Sequence, residues 1–168
     1  MTERLACICR MPLSWQVAHL DPEARHQIMR EAATLLTALN QIESMHDQET
    51  GSPENRRLDR IEAKLDLTLL LLGRTLETNA TTATRNVVLT PNSAEWEETT
   101  PPAEGSSLLI EFRPSEALPL NLKIPATGLK PEADKAQVLF DSLTEALEEA
   151  LYQFVFRRHR QAIRAKSV

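Results

Sequence analysis

The chain has 168 residues and few of the residue types from which compact catalytic motifs are built. Its two cysteines are too few for a disulfide scaffold. Its four glycines leave little material for a phosphate-binding loop, a dinucleotide fingerprint or a nucleophile elbow, and none of these motifs occurs. The four histidines are scattered, without the spacing of a metal site. The sequence therefore predicts neither an enzyme nor a metal-binding protein.

Charge and hydropathy limit the partners further. The balance of 19 basic and 24 acidic residues gives a net charge of -5, and only four Phe, two Trp and one Tyr are present, which argues against nucleic-acid binding. The longest leucine run, residues 69–72, is far shorter than the ~20 residues that span a bilayer. No apolar signal segment is visible near Met1. We expect a cytoplasmic protein without membrane insertion, and 42% hydrophobic residues suffice for one core.

The first segment alternates between apolar and polar residues, as a strand with one buried face does. Pro12 falls on the opposite face and lacks an N–H, which predicts an edge strand or a bulge at that position. The apolar residues occupy every odd position: Leu5, Cys7, Cys9, Met11, Leu13, Trp15 and Val17.

Two long helices follow, and each begins with a polar N-cap residue, a proline and an acid. The first is predicted from 21 to about 46 and the second from 52 to about 78, each on the order of 38 Å long. Because the polar break between them spans only 48–51, we expect an antiparallel hairpin over 21–79. The apolar stripe of the first helix is Ile28, Ala32, Leu35, Leu39 and Ile42.

The second helix is apolar around nearly its whole circumference. One stripe at average spacing 3.6 consists of Leu58, Ile61, Leu65, Leu69, Leu72 and Leu76, and the leucines off that stripe are Leu67, Leu70 and Leu71. A helix of this kind must be buried on all sides, and one partner helix covers only about a third to a half of it. The sequence therefore predicts that several copies of the chain shelter this helix together, with Leu35, Leu39 and Ile42 of the first helix contributing.

Short strands separated by turn residues return after the helices. They centre on Val87 and Leu89; Ala94 and Trp96; Leu108, Ile110 and Phe112; Leu118, Leu120, Leu122 and Ile124; and Ala136, Val138 and Phe140. The last turn before the final strand is predicted over 126–131, around Gly128. A third helix starts with a capping box from Ser142 to Glu145 and packs an apolar stripe of Leu143, Leu147, Ala150, Leu151 and Phe154.

These elements predict an α+β fold. Six short strands with one-sided alternation favour a small antiparallel β-barrel, with a C-terminal helix and the hairpin inserted after the first strand. We expect one domain over 1–168, in which 21–79 forms the oligomerisation bundle and 85–168 completes the barrel.

Three clusters invite a functional interpretation. Cys7 and Cys9 share the buried face of the first strand, and without further ligands we interpret them as core cysteines. Glu95, Glu97 and Glu98 are interpreted as a solvated edge. The arginines of the last helix, Arg157, Arg158 and Arg160, are candidates for binding a ligand or an acidic partner through forked hydrogen bonds, although a solvated helix end explains them as well.

Several segments resemble the atypical, tetramer-associated PilZ-domain proteins. The segment 58–69 (LDRIEAKLDLTL) is similar to their inserted heptad-type helix, 11–15 (MPLSW) to their first strand and 156–163 (FRRHRQAI) to their C-terminal helix. The resemblance covers nearly the whole chain. It implies a six-stranded barrel, four protomers, and a non-enzymatic receptor or adaptor in bacterial cyclic di-GMP signalling.

The ligand motifs of that family are altered here. The D/N-x-S-x-x-G pattern is absent, because around 91–96 (PNSAEW) the serine comes one place early and no glycine follows. Arg56 and Arg60 have the R-x-x-x-R spacing but fall in the predicted second helix, far from any barrel strand. We expect the usual route to cyclic di-GMP to be lost.

Three functional hypotheses follow from the sequence. The first is a PilZ-type signalling adaptor that assembles as a homotetramer and binds a protein partner. The second keeps cyclic di-GMP as a weak ligand of the C-terminal arginines. The third, from a different class, is a small barrel that binds single-stranded nucleic acid through its basic C-terminal segment.

Overall fold

The computed structural model describes residues 5–44, 53–74, 82–115 and 121–166, except for the side chains of residues 53, 55, 66 and 69–74. The elements in chain order are β1 (Cys7–Val17), α1 (Pro22–Ser44), α2 (Pro53–Arg74), β2 (Thr84–Leu89), β3 (Ser93–Glu97), β4 (Ser107–Phe112), β5 (Leu122–Gly128), β6 (Lys135–Phe140) and α3 (Glu145–Lys166). The six strands form a closed antiparallel barrel in the order β1-β2-β3-β6-β5-β4. The predicted fold is confirmed, with both helices inserted after β1.

The first strand forms two ladders in succession, which explains its proline. Residues 7–12 of β1 pair with β2, and residues 13–17 pair with β4. Pro12 ends the first ladder opposite Thr84, and its carbonyl accepts a hydrogen bond from Arg113 N at 3.0 Å. The predicted edge or bulge is therefore wrong, because β1 has neighbours on both sides. The missing N–H of Pro12 falls where the strand changes its neighbour.

The alternating residues of the strands fill the barrel interior, as predicted, except that Val17 at the end of β1 is 58% exposed. The largest of them are Trp96 and Phe112. The barrel residues with less than one tenth of their surface exposed include Cys7, Met11, Leu13, Val87, Leu89, Ala94, Trp96, Leu108, Ile110, Phe112, Leu122, Ile124, Ala136, Val138 and Phe140. Leu118 and Leu120, predicted for the fifth strand, lie outside the described residues.

The structure corrects the turn predicted around Gly128. Strand β5 continues to Gly128, which pairs with Val138 of β6. The N–H of Gly128 donates to the carbonyl of Ser106 at 3.0 Å, and its carbonyl accepts from Gly105 N at 2.8 Å. A Cβ at this position would lie 2.5 Å from the carbonyl oxygen of Ala103. The glycine therefore allows a close approach of two backbones rather than a turn.

The N-cap predicted for α1 is confirmed, whereas the one predicted for α3 is corrected. Asp21 Oδ1 accepts a hydrogen bond from Ala24 N at 2.7 Å, which confirms Asp21 as the N-cap of α1. The capping box predicted at Ser142 is wrong, because α3 begins at Glu145 and Thr144 Oγ1 accepts from Leu147 N at 3.4 Å. Thr144 is therefore the N-cap of α3, and it forms no capping box because Leu147 stands where Glu or Gln would be required.

The helices extend the barrel core. Helix α1 lies against α2, α3 and β5, and α3 lies against β1. Buried helix residues form one continuous cluster with the barrel interior: Met29, Ala32, Ala33, Leu35, Leu36, Leu39, Leu67, Leu147, Ala150, Leu151, Phe154 and Val155. The α3 stripe predicted from the sequence is thereby confirmed, with Leu143 packing against it from outside the helix.

One buried polar side chain connects α1 to α3. Asn40 is 5% exposed, and its Nδ2 donates to the carbonyl of Ala150 at 2.9 Å. Its Oδ1 accepts from Arg157 Nη2 at 2.9 Å, and its carbonyl accepts from Arg157 Nη1 at 3.0 Å. Because every polar atom of this amide group has a partner, its burial stabilises one specific placement of the two helices.

We expect Asn40→Ala to lower the free energy of unfolding by roughly 1–3 kcal/mol, since it leaves buried hydrogen-bonding groups without their partner. Urea unfolding followed by circular dichroism measures this loss. The control is Gln41→Ala, an exposed amide at the next position of α1, which should change stability by less than about 0.5 kcal/mol. Equal stability of the two variants would contradict a structural role of Asn40.

Candidate functional site

The outer side of α2 carries a row of exposed aliphatic side chains, Leu58, Ile61 and Leu65, which we call the α2 stripe. Their exposed fractions are 64%, 55% and 57%. Spacings of three and four residues align them along one side of the helix. At 3.6 residues per turn this side lies almost opposite Ala63 and Leu67, which are both buried. Helix α2 therefore has two apolar sides, and within the described residues only one of them is covered.

The residues of α2 that were predicted to mediate self-assembly fall into three groups: exposed residues, a residue buried in its own subunit, and residues whose side chains are not described. Leu58, Ile61 and Leu65 are accessible for contacts with another molecule. Leu67 belongs to the core of its own subunit. The side chains of Leu69, Leu70, Leu71 and Leu72 and the whole of Leu76 lie outside the described residues.

The residues of α1 assigned to the same interface have a different role. Leu35 and Leu39 are almost completely buried and belong to the core shared with the barrel, and Ile42 packs against that core from its margin. They therefore attach α1 to its own subunit. Hydrophobic periodicity shows that a helix side is buried, but it does not show which chain buries it.

Two of the three arginines proposed as ligand contacts are engaged within the subunit. Glu43 of α1 accepts from Arg157 Nη2 at 2.6 Å and from Arg158 Nη2 at 3.0 Å, one with each carboxylate oxygen. Arg158 also donates to the carbonyl of Pro114 at 3.1 Å, and its guanidinium lies 5.2 Å from the ring centre of Phe154. These half-buried groups join α3 to the end of α1, and a ligand would have to displace the contacts.

The third arginine, Arg160, borders a cleft of about 710 Å³ between α1 and α3, which we call the α1–α3 cleft. Its α3 wall presents Tyr152, Phe156, Arg160 and Arg164 at successive four-residue steps. The first two rings are stacked with centres 6.2 Å apart, and the Arg160 guanidinium lies 5.7 Å from the Phe156 ring centre. The α1 wall is polar: Thr37, Asn40, Gln41 and Ser44. Aromatic faces beside guanidinium groups suit an anionic or acidic partner.

Residues Tyr152 and Arg164 of this cleft were missed from the sequence, although a signal existed. The i, i+4, i+8, i+12 spacing from Tyr152 to Arg164 puts all four side chains on one side of a helix. The ion pairs of Glu43 could not be predicted from local sequence patterns, because both arginine partners lie more than 110 residues away.

The solvated edge predicted for the acidic cluster is found at Glu97, which is exposed, but not at Glu98. Glu98 Oε2 accepts from Trp15 Nε1 at 2.9 Å and from Trp96 Nε1 at 3.4 Å, and it pairs with Arg85 at 3.1 Å. Burial by itself raises the pKa of Glu98, but the two indole hydrogen bonds and the charge of Arg85 outweigh that effect and hold the pKa below its usual value. Glu98 thereby connects the first three strands.

Glu95 of the same cluster is also engaged. Its carboxylate accepts from Lys135 Nζ at 2.9 Å and from Gln137 Nε2 at 3.0 Å, both on β6. Glu97 is exposed. The cluster therefore consists mainly of cross-strand contacts, and none of these contacts forms a catalytic pair of carboxylates.

Among the described residues, no group of three His, Cys, Asp or Glu side chains is placed to hold a metal ion. In the same parts of the chain, no helix combines the length and the apolar character that crossing a membrane requires.

Comparison with known proteins relates the chain to a protein family and to solved structures. Residues 36–167 match the family described as atypical PilZ domain, cyclic di-GMP receptor. A solved structure from Xanthomonas campestris, described as a pathogenic protein with a tetrameric PilZ domain self-assembled through a helical bundle, is similar at 27% sequence identity and a TM-score of 0.71. The match covers 97% of this chain and 92% of that one. No curated protein matches the chain.

We expect Glu98→Gln to lower the free energy of unfolding at pH 7 by roughly 1–3 kcal/mol, since it weakens hydrogen bonds made to a charged group. Because the folded pKa of Glu98 is lowered, its contribution is fully present above the unfolded pKa of about 4.3 and is lost as the pH falls through the folded pKa. Urea unfolding at a series of pH values measures the difference. Glu97→Gln, an exposed neighbour, is the control, and a pH-independent difference for Glu98→Gln would contradict this assignment.

Proposed function

Because the chain belongs to the atypical PilZ domain family, a family of cyclic di-GMP receptors, we propose that it is a non-enzymatic adaptor of cyclic di-GMP signalling in the cytoplasm. In this proposal, residues 1–168 form one atypical PilZ domain that assembles as a homotetramer. The helical hairpin over 21–79 supplies the central bundle, and the barrel completed by 85–168 faces outward. The observation that carries the proposal is the exposed α2 stripe.

Burial of the α2 stripe against another molecule would be favourable in free energy. Burying a leucine or isoleucine side chain completely is worth about 1.5–3 kcal/mol, and each of the three side chains of the α2 stripe is still more than half exposed. In the sequence, the same spacing continues through Leu69, Leu72 and Leu76. An apolar row of this length on one helix favours association with the same row of other copies.

The two apolar sides of α2 favour a bundle over a simple pair of helices. Ala63 and Leu67 are covered within the subunit, so that the opposite side is left for contacts between copies. Helix bundles bury such sides by packing several helices around a common core. The tetrameric helical bundle of the Xanthomonas campestris structure supports four copies.

The adaptor role rests on the α1–α3 cleft together with the altered nucleotide motifs. The hydroxyl of Ser93 lies 2.6 Å from that of Thr90, within a tight turn that joins β2 to β3. This turn replaces the D/N-x-S-x-x-G segment of ligand-binding relatives. The exposed Tyr152, Phe156 and Arg160 offer a surface for an acidic protein partner instead.

A second candidate function is weak binding of cyclic di-GMP in the α1–α3 cleft, favoured by the aromatic rings and guanidinium groups on its α3 wall. Of the predicted arginines, Arg160 is exposed beside this cleft, whereas Arg157 and Arg158 are engaged with Glu43. Arg160→Ala is therefore the variant that tests the ligand without removing the contacts between α1 and α3.

We expect isothermal titration of the wild-type chain with cyclic di-GMP to give no saturable heat, because the usual binding turn is absent. Saturable heat that persists in Arg10→Ala, an exposed arginine of β1, but disappears in Arg160→Ala would contradict this expectation and support the second candidate. Heat that persists in Arg160→Ala would exclude the cleft as the nucleotide site.

We expect Ile61→Glu to dissociate the assembly, because an unpaired carboxylate buried between copies costs roughly 3–5 kcal/mol. Size-exclusion chromatography with light scattering measures the mass, and circular dichroism verifies the helix content. Lys64→Glu, exposed on α2 about a quarter turn from the stripe, is the matched control and should keep the wild-type mass. An Ile61→Glu variant with the mass of the wild-type assembly would show that the α2 stripe is not the interface.

A further inference from the structure

The two cysteines of the chain form a close pair at the start of β1. Cys7 and Cys9 point to the same side of the strand, and their sulfur atoms lie 3.3 Å apart. Cys7 is 3% exposed, whereas Cys9 is half-buried and packs at the margin of the core. The interpretation of both as inert core cysteines is therefore incomplete, because Cys9 is only half-buried and its sulfur contacts that of the buried Cys7.

The surroundings give the two thiols unequal acidity. The hydrogen bond between the two sulfur atoms lowers the pKa of Cys9, and the positive charge of Arg158 lowers it further against the opposing effect of burial. The same hydrogen bond and burial raise the pKa of Cys7. Glu43 and the carbonyl of Pro114 hold Arg158 in place. Cys9, the less buried of the two, is thus the cysteine that more readily becomes a thiolate, which is the reactive form.

We propose that Cys7 and Cys9 are a peroxide-sensitive dithiol that closes reversibly to an intramolecular disulfide. In the first step the Cys9 thiolate attacks hydrogen peroxide, the O–O bond breaks, and Cys9 sulfenic acid and hydroxide form. In the second step the sulfur of Cys7 attacks the sulfenic sulfur, the S–O bond breaks, the S–S bond forms, and the Cys7 proton leaves with the hydroxyl group as water. The hydroxide of the first step takes up the proton that Cys9 lost when its thiolate formed, so that overall two thiols are oxidised and one peroxide is reduced to two waters.

The geometry of β1 allows a disulfide between Cys7 and Cys9, but only near the largest Cα–Cα distance that such a bond spans. Residues two apart in a strand have Cα atoms about 6.6 Å apart, close to the upper limit of about 6.8 Å for a disulfide. Cys7 is the first residue of β1, so that the adjustment affects the end of the β1–β2 ladder rather than its middle. A bond closed under such constraint is reducible, as reversible regulatory disulfides are.

The pair also lies at a junction between elements. The carbonyl of Ala6, next to Cys7, is 2.9 Å from His159 Nδ1 of α3, and Arg158 joins α3 to the end of α1. A contraction between Cys7 and Cys9 therefore acts at the contact between the barrel and α3. The proposal uses neither the α2 stripe nor cyclic di-GMP, and it stands independently of the proposed function.

The test uses the full-length, fully reduced chain treated with a small excess of hydrogen peroxide. Because peroxide also oxidises methionine, of which the chain has four, thiol counting is combined with the mass of the tryptic peptide 5–10, which holds both cysteines and no methionine. We expect both thiols to disappear, the mass of this peptide to fall by two hydrogen atoms, and dithiothreitol to restore both. Thiols that persist, a stable gain of oxygen at cysteine, or a disulfide-linked dimer on a non-reducing gel would each overturn the proposal.

Single variants test the assigned roles. In Cys7→Ala we expect Cys9 sulfenic acid to accumulate and to be trapped by dimedone, because the second sulfur is missing. In Cys9→Ser we expect the remaining thiol, Cys7, to react at least about tenfold more slowly, since it is buried and does not have the lowered pKa of Cys9. Equal reaction rates of the two variants would contradict Cys9 as the attacking sulfur. The wild-type mass measurement decides the disulfide itself even if a core variant fails to fold.

Discussion

Helix α2 must bury two opposite apolar sides, and its own subunit covers only one of them among the described residues. Ala63 and Leu67 face inward, while Leu58, Ile61 and Leu65 remain exposed on the other side. Water cannot satisfy a continuous aliphatic surface of this kind, so that association is the simplest way to stabilise it. The family membership and the bundle in the Xanthomonas campestris relative agree with that requirement.

Polar contacts hold α1 against α3 in addition to the apolar core. Asn40 and Glu43 on α1 hold the guanidinium groups of Arg157 and Arg158, and these contacts determine how α3 lies against α1. An arginine run that looks like an anion-binding site is therefore mostly structural here. The surface we propose for a partner is the α1–α3 cleft, where Arg160 stands beside exposed aromatic rings.

Local signals in the sequence predicted most of the fold. Alternation identified the strand faces, and the N-cap at Asp21 identified the start of α1. Apart from the N-cap of α3, which is a local feature, the errors have a common physical cause, since each concerns a contact between distant parts of the chain. Gly128 resembles a turn residue until the nearby carbonyl of Ala103 is known, and Pro12 resembles an edge residue until β1 is seen to change neighbours.

The candidate site could be predicted only in part, because contacts between distant parts of the chain leave no local signal in the sequence. Periodicity identified the α2 stripe correctly as apolar, but it could not assign Leu35 and Leu39 to the core of their own subunit. Sedimentation equilibrium of the wild-type chain over a range of concentrations measures how many copies associate. A tetramer held together by the α2 stripe predicts a single species of four times the 18.9 kDa chain mass. A chain that sediments as an 18.9 kDa monomer at all concentrations would contradict it.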